Sequence, residues 1–163
     1  MAIKTQSTHH RFIHQVLWFG SAVACAVGAA VLLAGCGHRT SLVEVRGTVY
    51  VGDQPVQKGT GHVTFHPDAQ KGNKSLEEAV GAIQPDGTYV LETRGTRGVA
   101  PGWYKVGVSV SEVLDPNNPY VTKWLMPNPE KYRDWNKSEI SIEVVEKPAE
   151  GQYDIRLPPL TSP

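Results

Sequence analysis

The residues of this chain with chemistry beyond folding are histidines, serines with aspartates, one carboxylate turn, two cysteines and a run of aromatics. His62 and His66 stand four apart in a segment that alternates apolar and polar side chains. On a strand they share one face with Thr64, about 13 Å from each other by strand rise. One metal ion cannot bridge that span without a bend, so the pair reads as outward polar residues. Serine, histidine and aspartate are all present, but there is no Gly-x-Ser-x-Gly motif. No histidine is placed by local spacing beside a nucleophile. The expectation is therefore no catalytic residue, no metal ligand and no cofactor. Asp115-Pro116-Asn117-Asn118 offers oxygens to calcium but lacks the acidic repeat of a calcium loop, and reads as a turn.

The aromatics are Tyr120, Trp124, Tyr132 and Trp135, in a long connection from Glu112 to Glu139. Connections of that length are uncommon in compact domains and are often functional. Exposed, these rings would stack on sugars or grip a peptide. Folded back, they would cap an open end of the domain. Asn128-Pro129-Glu130-Lys131 has the form of a helix start, with Asn as cap and Pro in the first turn. Such a helix would turn Tyr132 and Trp135 inward. The capping arrangement is preferred, because large aromatics usually find a core.

Cys36 ends a different pattern. Lys4 and Arg11 precede a stretch, Phe12 to His38, that holds no Asp, Glu, Lys or Arg. Its core, Val16 to Leu33, is rich in Ala, Val and Leu, which is the basic-then-apolar order of an export signal. The stretch closes in Leu33-Ala34-Gly35-Cys36. That ending resembles the lipobox of bacterial lipoprotein signal peptides, an aliphatic residue, two small residues and an obligatory cysteine. The resemblance implies a lipid on Cys36, cleavage between Gly35 and Cys36, and further N-acylation in many bacteria. Residues 1–35 are then a lipoprotein signal peptide and residues 36–41 a lipidated tether. Two or three acyl chains, as in palmitate-bearing lipoproteins, anchor stably where one is marginal. The alternative is an uncleaved transmembrane helix, for which about 18 apolar residues just suffice. Both readings export the C-terminal part, because Lys4 and Arg11 stay inside. Gly37, rather than an aspartate, follows the cysteine; by that analogy the outer membrane is favoured over the inner.

Processing changes the inventory. The chain has 163 residues, 16 basic and 16 acidic. Removing residues 1–35 takes away Lys4 and Arg11, leaving 14 basic against 16 acidic residues. That balance argues against a nucleic-acid partner. His9, His10 and His14 leave as well, so only His38, His62 and His66 remain. Cys25 leaves too, and Cys36 carries the lipid, so no intramolecular disulfide is expected. The partners expected are the membrane, through Cys36, and an envelope protein or glycan.

The elements that must position these residues read as strands. Val43, Val45, Val49 and Val51 alternate with polar residues, then Gly52-Asp53-Gln54-Pro55 turns the chain. Val63 and Phe65 alternate with His62, Thr64 and His66, and Pro67 closes that strand. Residues 68–78 are polar and loop-like. Ala79 to Ile83 forms a third strand, Gln84-Pro85-Asp86-Gly87 a tight turn, and Tyr89 with Leu91 a fourth strand. Tyr104, Val106, Val108 and Val110 give the clearest period of two. Ile140, Ile142 and Val144, and then Tyr153, Ile155 and Leu157, supply the sixth and seventh strands. Seven short strands separated by turns point to an all-β fold, a seven-stranded Greek-key β-sandwich over residues 42–158 with a tail at 159–163. The 16 glycines and 12 prolines fit its turns and not a helical bundle.

In order along the chain come Val45-Arg46-Gly47-Thr48-Val49, the turn at 52–55, and Gly61-His62-Val63-Thr64-Phe65-His66-Pro67. Asp86-Gly87-Thr88-Tyr89, Ala100-Pro101-Gly102-Trp103-Tyr104-Lys105-Val106 and Pro129-Glu130-Lys131-Tyr132 follow. Behind a lipobox, this series resembles a group of bacterial lipoproteins, common in planctomycetes, with a carboxypeptidase regulatory-like (transthyretin-like, prealbumin-like) β-sandwich. Trp135-Asn136-Lys137 departs from that group, where small residues are more usual. The resemblance implies a fold and a cell-envelope location, and no catalytic activity. Enzymes with related folds are set apart by their motifs. Transthyretin-like hydroxyisourate hydrolases end in Tyr-Arg-Gly-Ser, whereas this chain ends Leu160-Thr161-Ser162-Pro163. Intradiol dioxygenases need two Tyr and two His iron ligands in a longer chain. Fold analogy does not carry function across such absences. An enzyme on this scaffold would need a pocket with convergent polar groups and perturbed pKa values.

Overall fold

In the computed structural model, residues 41–160 are described. The expected signal peptide (1–35), Cys36, most of the expected 36–41 tether and residues 161–163 lie outside the described residues. The described chain is an all-β sandwich of a four-stranded and a seven-stranded sheet. In chain order the strands are β1 (Arg46–Val51), β2 (Gln54–Pro55), β3 (Thr60–Pro67), β4 (Ala79–Ala82), β5 (Thr88–Val90) and β6 (Glu92–Thr93). They continue as β7 (Thr96–Arg97), β8 (Gly102–Asp115), β9 (Asn118–Trp124), β10 (Ser141–Val144) and β11 (Ile155–Leu157). Among the described residues one α-helical turn, α1 (Pro129–Tyr132), and one 3₁₀ turn (Ala69–Lys71) interrupt them. The seven expected strands correspond to β1, β3, β4, β5, β8, β10 and β11.

In the smaller sheet β1 is central. It pairs in parallel with β11 and antiparallel with β2 and β5. The larger sheet runs β10-β8-β3-β4-β6-β7, with β9 also on β8. The chain passes from one sheet to the other between β2 and β3, β4 and β5, β5 and β6, and β10 and β11. Alternation along each strand supplies the core. Val45 and Val49 of the first segment, Val63 and Phe65 of β3, and Tyr104, Val106, Val108 and Val110 of β8 are buried between the sheets. The Phe65 and Tyr104 rings meet at 5.8 Å, within the range of favourable tilted aromatic pairs.

Turn chemistry sets the corners. The Gln84–Gly87 turn closes with the Gly87 amide donating to Gln84 O at 2.9 Å, and Gly87 takes a positive φ of 85°. Asp86 accepts from the Thr88 amide at 3.0 Å and from its hydroxyl at 2.7 Å. Those bonds hold the Asp86 carboxyl below the usual carboxylate range. The polar run 68–78 is pinned as well. Asp68 caps a 3₁₀ turn, and the buried Asn73 amide donates to Trp103 O at 2.8 Å.

Candidate functional site

The segment 112–139 is not one long loop. Its first part is strand. β8 continues past its last partner on β3, since Thr60 pairs with Ser111. From Glu112 to Asp115 its only strand partner among the described residues is β9. The turn between them is Asp115-Pro116-Asn117-Asn118, as its residue types require. Asp115 accepts from the Asn117 amide at 2.9 Å, and Asn118 accepts from the Tyr120 amide at 3.2 Å. A two-stranded ribbon thus extends beyond the sheet. Every residue of β9 is exposed, Val121 among them, and Val113 and Leu114 of β8 are exposed with them. Tyr120 lies in the irregular stretch of the ribbon and is 92 % exposed. Trp124 stands opposite Ser111 and is 36 % exposed, with the Arg133 guanidinium 4.7 Å from its ring centroid. A cation over an indole face is favourable.

The second part is a strap. Leu125 returns to β8, its amide donating to Val110 O at 3.1 Å, and Met126 is buried beside it. Helix α1 begins at Pro129 as its sequence predicts. Asn128 precedes it, but in a left-handed conformation (φ 41°) with no side-chain capping bond. The expected Asn cap is therefore absent, and the fixed φ of Pro129 starts the turn instead. Tyr132 is half-buried against the core, as expected. Trp135 is half-buried too, but it does not turn into the sandwich. It lies on the outer face of the larger sheet, stacked on the His66 ring at 3.7 Å and 7°. His66 is held from the other side by Glu78, Nδ1 to Oε1 at 2.6 Å.

Gly107 explains why the strap can lie there. A Cβ at Gly107 would come within 3.2 Å of Arg133 O and 3.4 Å of Trp135 N. A glycine inside a strand marks this kind of close backbone approach. The strap is then locked by the buried Ser138, whose hydroxyl donates to Val106 O and accepts from the Ile140 amide. An ion pair between Lys131 and Glu139 spans its base. The bond from Lys131 holds the Glu139 carboxyl below its ordinary range, and the same contact raises Lys131.

The four aromatics therefore divide. Tyr132 and Trp135 are packing residues of the strap. Tyr120 and Trp124 belong to the ribbon and are open to a partner. Sequence patterning missed Val113, Leu114 and Val121 as their companions. His62 and His66 share the outer face of β3, as predicted, and His66 is occupied by Glu78 and Trp135. Among the described residues no three His, Cys, Asp or Glu side chains cluster as a metal site would need.

Two open clefts flank β5. One of about 440 Å³ is lined by Gln84, Thr88, Glu92 and Arg97, and one of about 360 Å³ by Arg46, Thr48 and Asp154. Their polar groups are engaged in part: Asp154 accepts from the Thr48 amide at 3.0 Å. Burial pushes the Tyr89 phenol far above its usual range, with Asp154 and Tyr153 adding to the effect. Its buried hydroxyl donates to Tyr153 O at 2.5 Å. No family model, no curated protein and no solved structure matches this chain.

Proposed function

We propose that this is a lipid-anchored cell-envelope protein whose β-sandwich is non-catalytic and makes binding or structural contact near the membrane surface. The anchor rests on Leu33-Ala34-Gly35-Cys36 and the basic-then-apolar segment before it. The lipoprotein resemblance of residues 43–157 points the same way, and the outer membrane is favoured. The observation that carries the contact role is the β8–β9 ribbon. It projects beyond the sheet and exposes Val113, Leu114, Tyr120, Val121 and Trp124. Exposed apolar side chains grouped in this way mark interaction surfaces.

A second reading follows from Tyr120 and Trp124 in particular. Rings with an open face suit recognition of a glycan or an extended peptide. The anchor is tested by metabolic labelling with palmitate. Wild type should label, and Cys36→Ala should lose the label and accumulate as precursor. A variant that still labels sinks the lipoprotein reading.

A further inference from the structure

The polar loop 68–78 carries one residue that does not belong in it. Leu76 is 94 % exposed, the highest exposure of any large apolar side chain among the described residues. The loop around it is fixed. The Ser75 amide donates to Asn73 Oδ1 at 2.9 Å, and the Glu77 amide donates to Ser75 Oγ at 3.2 Å. Glu77 is also held by Arg94 through a two-bond ion pair. Leu76 thus stands between two anchored residues and is presented outward by them.

Its position in the fold gives it a neighbour. A shallow cleft of about 300 Å³ brings together Leu42, Lys74, Ser75, Glu77 and Pro101. Leu42 is itself exposed, and Val43 is fixed by a bridge to Val99. Lys74 is exposed and has no ion-pair partner among the described residues. Leu76 therefore lies at the end of the sandwich where the chain leaves Cys36. Five residues lie between Cys36 and Leu42, six Cα steps with a reach of about 20 Å at full extension. The ribbon turn at 115–118 lies at the other end of β8, about 40 Å along the strand.

We propose that the loop 72–78 is a membrane-surface contact, with Leu76 entering the interfacial layer and Lys74 facing anionic headgroups. This rests on the anchoring of Cys36. The occupant is the bilayer because a short tether holds this end of the domain against it. An apolar side chain beside a free lysine suits the boundary between headgroups and acyl chains. The contact orients the sandwich, so that the ribbon points away from the membrane.

The test uses the full, acylated chain in vesicles of phosphatidylglycerol and phosphatidylethanolamine. Leu76→Cys and, separately, Tyr120→Cys carry a polarity-sensitive thiol dye, and spin-labelled lipids quench it. Wild type reports on the anchor: an acylated Cys36 takes up no dye. The expected result is a blue shift at position 76 and quenching several-fold stronger there than at position 120. Quenching at 120, alone or together with 76, or at neither position, overturns the contact while the anchor stands. Dye uptake by wild-type Cys36 overturns the anchor itself, and the orientation with it.

Discussion

Gly47 sits on the inward side of β1, between Val45 and Val49, where alternation calls for a bulky residue. A Cβ there would lie 2.3 Å from Tyr153 O and 3.0 Å from the Tyr89 hydroxyl. The space is taken by the Tyr89–Tyr153 hydrogen bond, which ties β5 to the chain entering β11. Two substitutions separate the contributions. Gly47→Ala must push backbone, and overpacking of this kind costs about 1–3 kcal/mol. Tyr89→Phe keeps the ring and removes the donor, leaving a buried carbonyl short of a partner at about 1–3 kcal/mol. Both should lower the urea midpoint without changing the slope of the transition. If Tyr89→Phe unfolds at the wild-type midpoint, the hydroxyl does not hold these strands. Gly47 was visible in the sequence only as a gap in a valine pattern; what fills the gap comes from a residue more than a hundred positions away.

Elements with one buried face were legible, and elements without one were not. β3 and the first part of β8 alternate because Val63, Phe65, Val106 and Val108 must be buried while their neighbours are not. β9 is exposed along its whole length, so no apolar period marks it, and Pro119 weakens the strand signal further. β2, β6 and β7 are two residues each, too short to show any period. The Trp135–His66 stack joins distant segments, and its one local trace was Gly107 inside an otherwise bulky strand. The strap also carries an electrostatic prediction. Glu139 is held by Lys131 at a folded pKa below its unfolded value, which is about 4.3. Its contribution is therefore complete above that unfolded value and is lost as pH falls through the folded one. Wild type should lose more of its urea midpoint between neutral and acid pH than Glu139→Gln does. The pair is solvent-exposed, so the difference should be small and should shrink in high salt. Parallel pH dependence of the two proteins would remove the pair from the account of the strap.

At the scale of the whole molecule, the two ends of the sandwich present different surfaces. One end exposes Leu42 and Leu76; the other projects the ribbon. A two-stranded hairpin with no third strand is marginal in water, and among the described residues β9 leaves an unpaired edge. Pro119 and Lys123 on that edge are the residue types that discourage indiscriminate strand pairing. An arm that exposes aromatics while discouraging edge pairing is suited to side-chain contact with a partner. Tyr120, 92 % exposed, contributes little to folding, so Tyr120→Ala should leave the thermal midpoint nearly unchanged. The same variant should lose most of the partner recovered by cross-linking in native envelope, since aromatic anchors dominate such contacts. Glycan-array and peptide-array binding by wild type then separates the two forms of recognition. Unchanged cross-linking at wild-type stability would move the contact surface off the ribbon, to the clefts beside β5 or the outer face of the larger sheet.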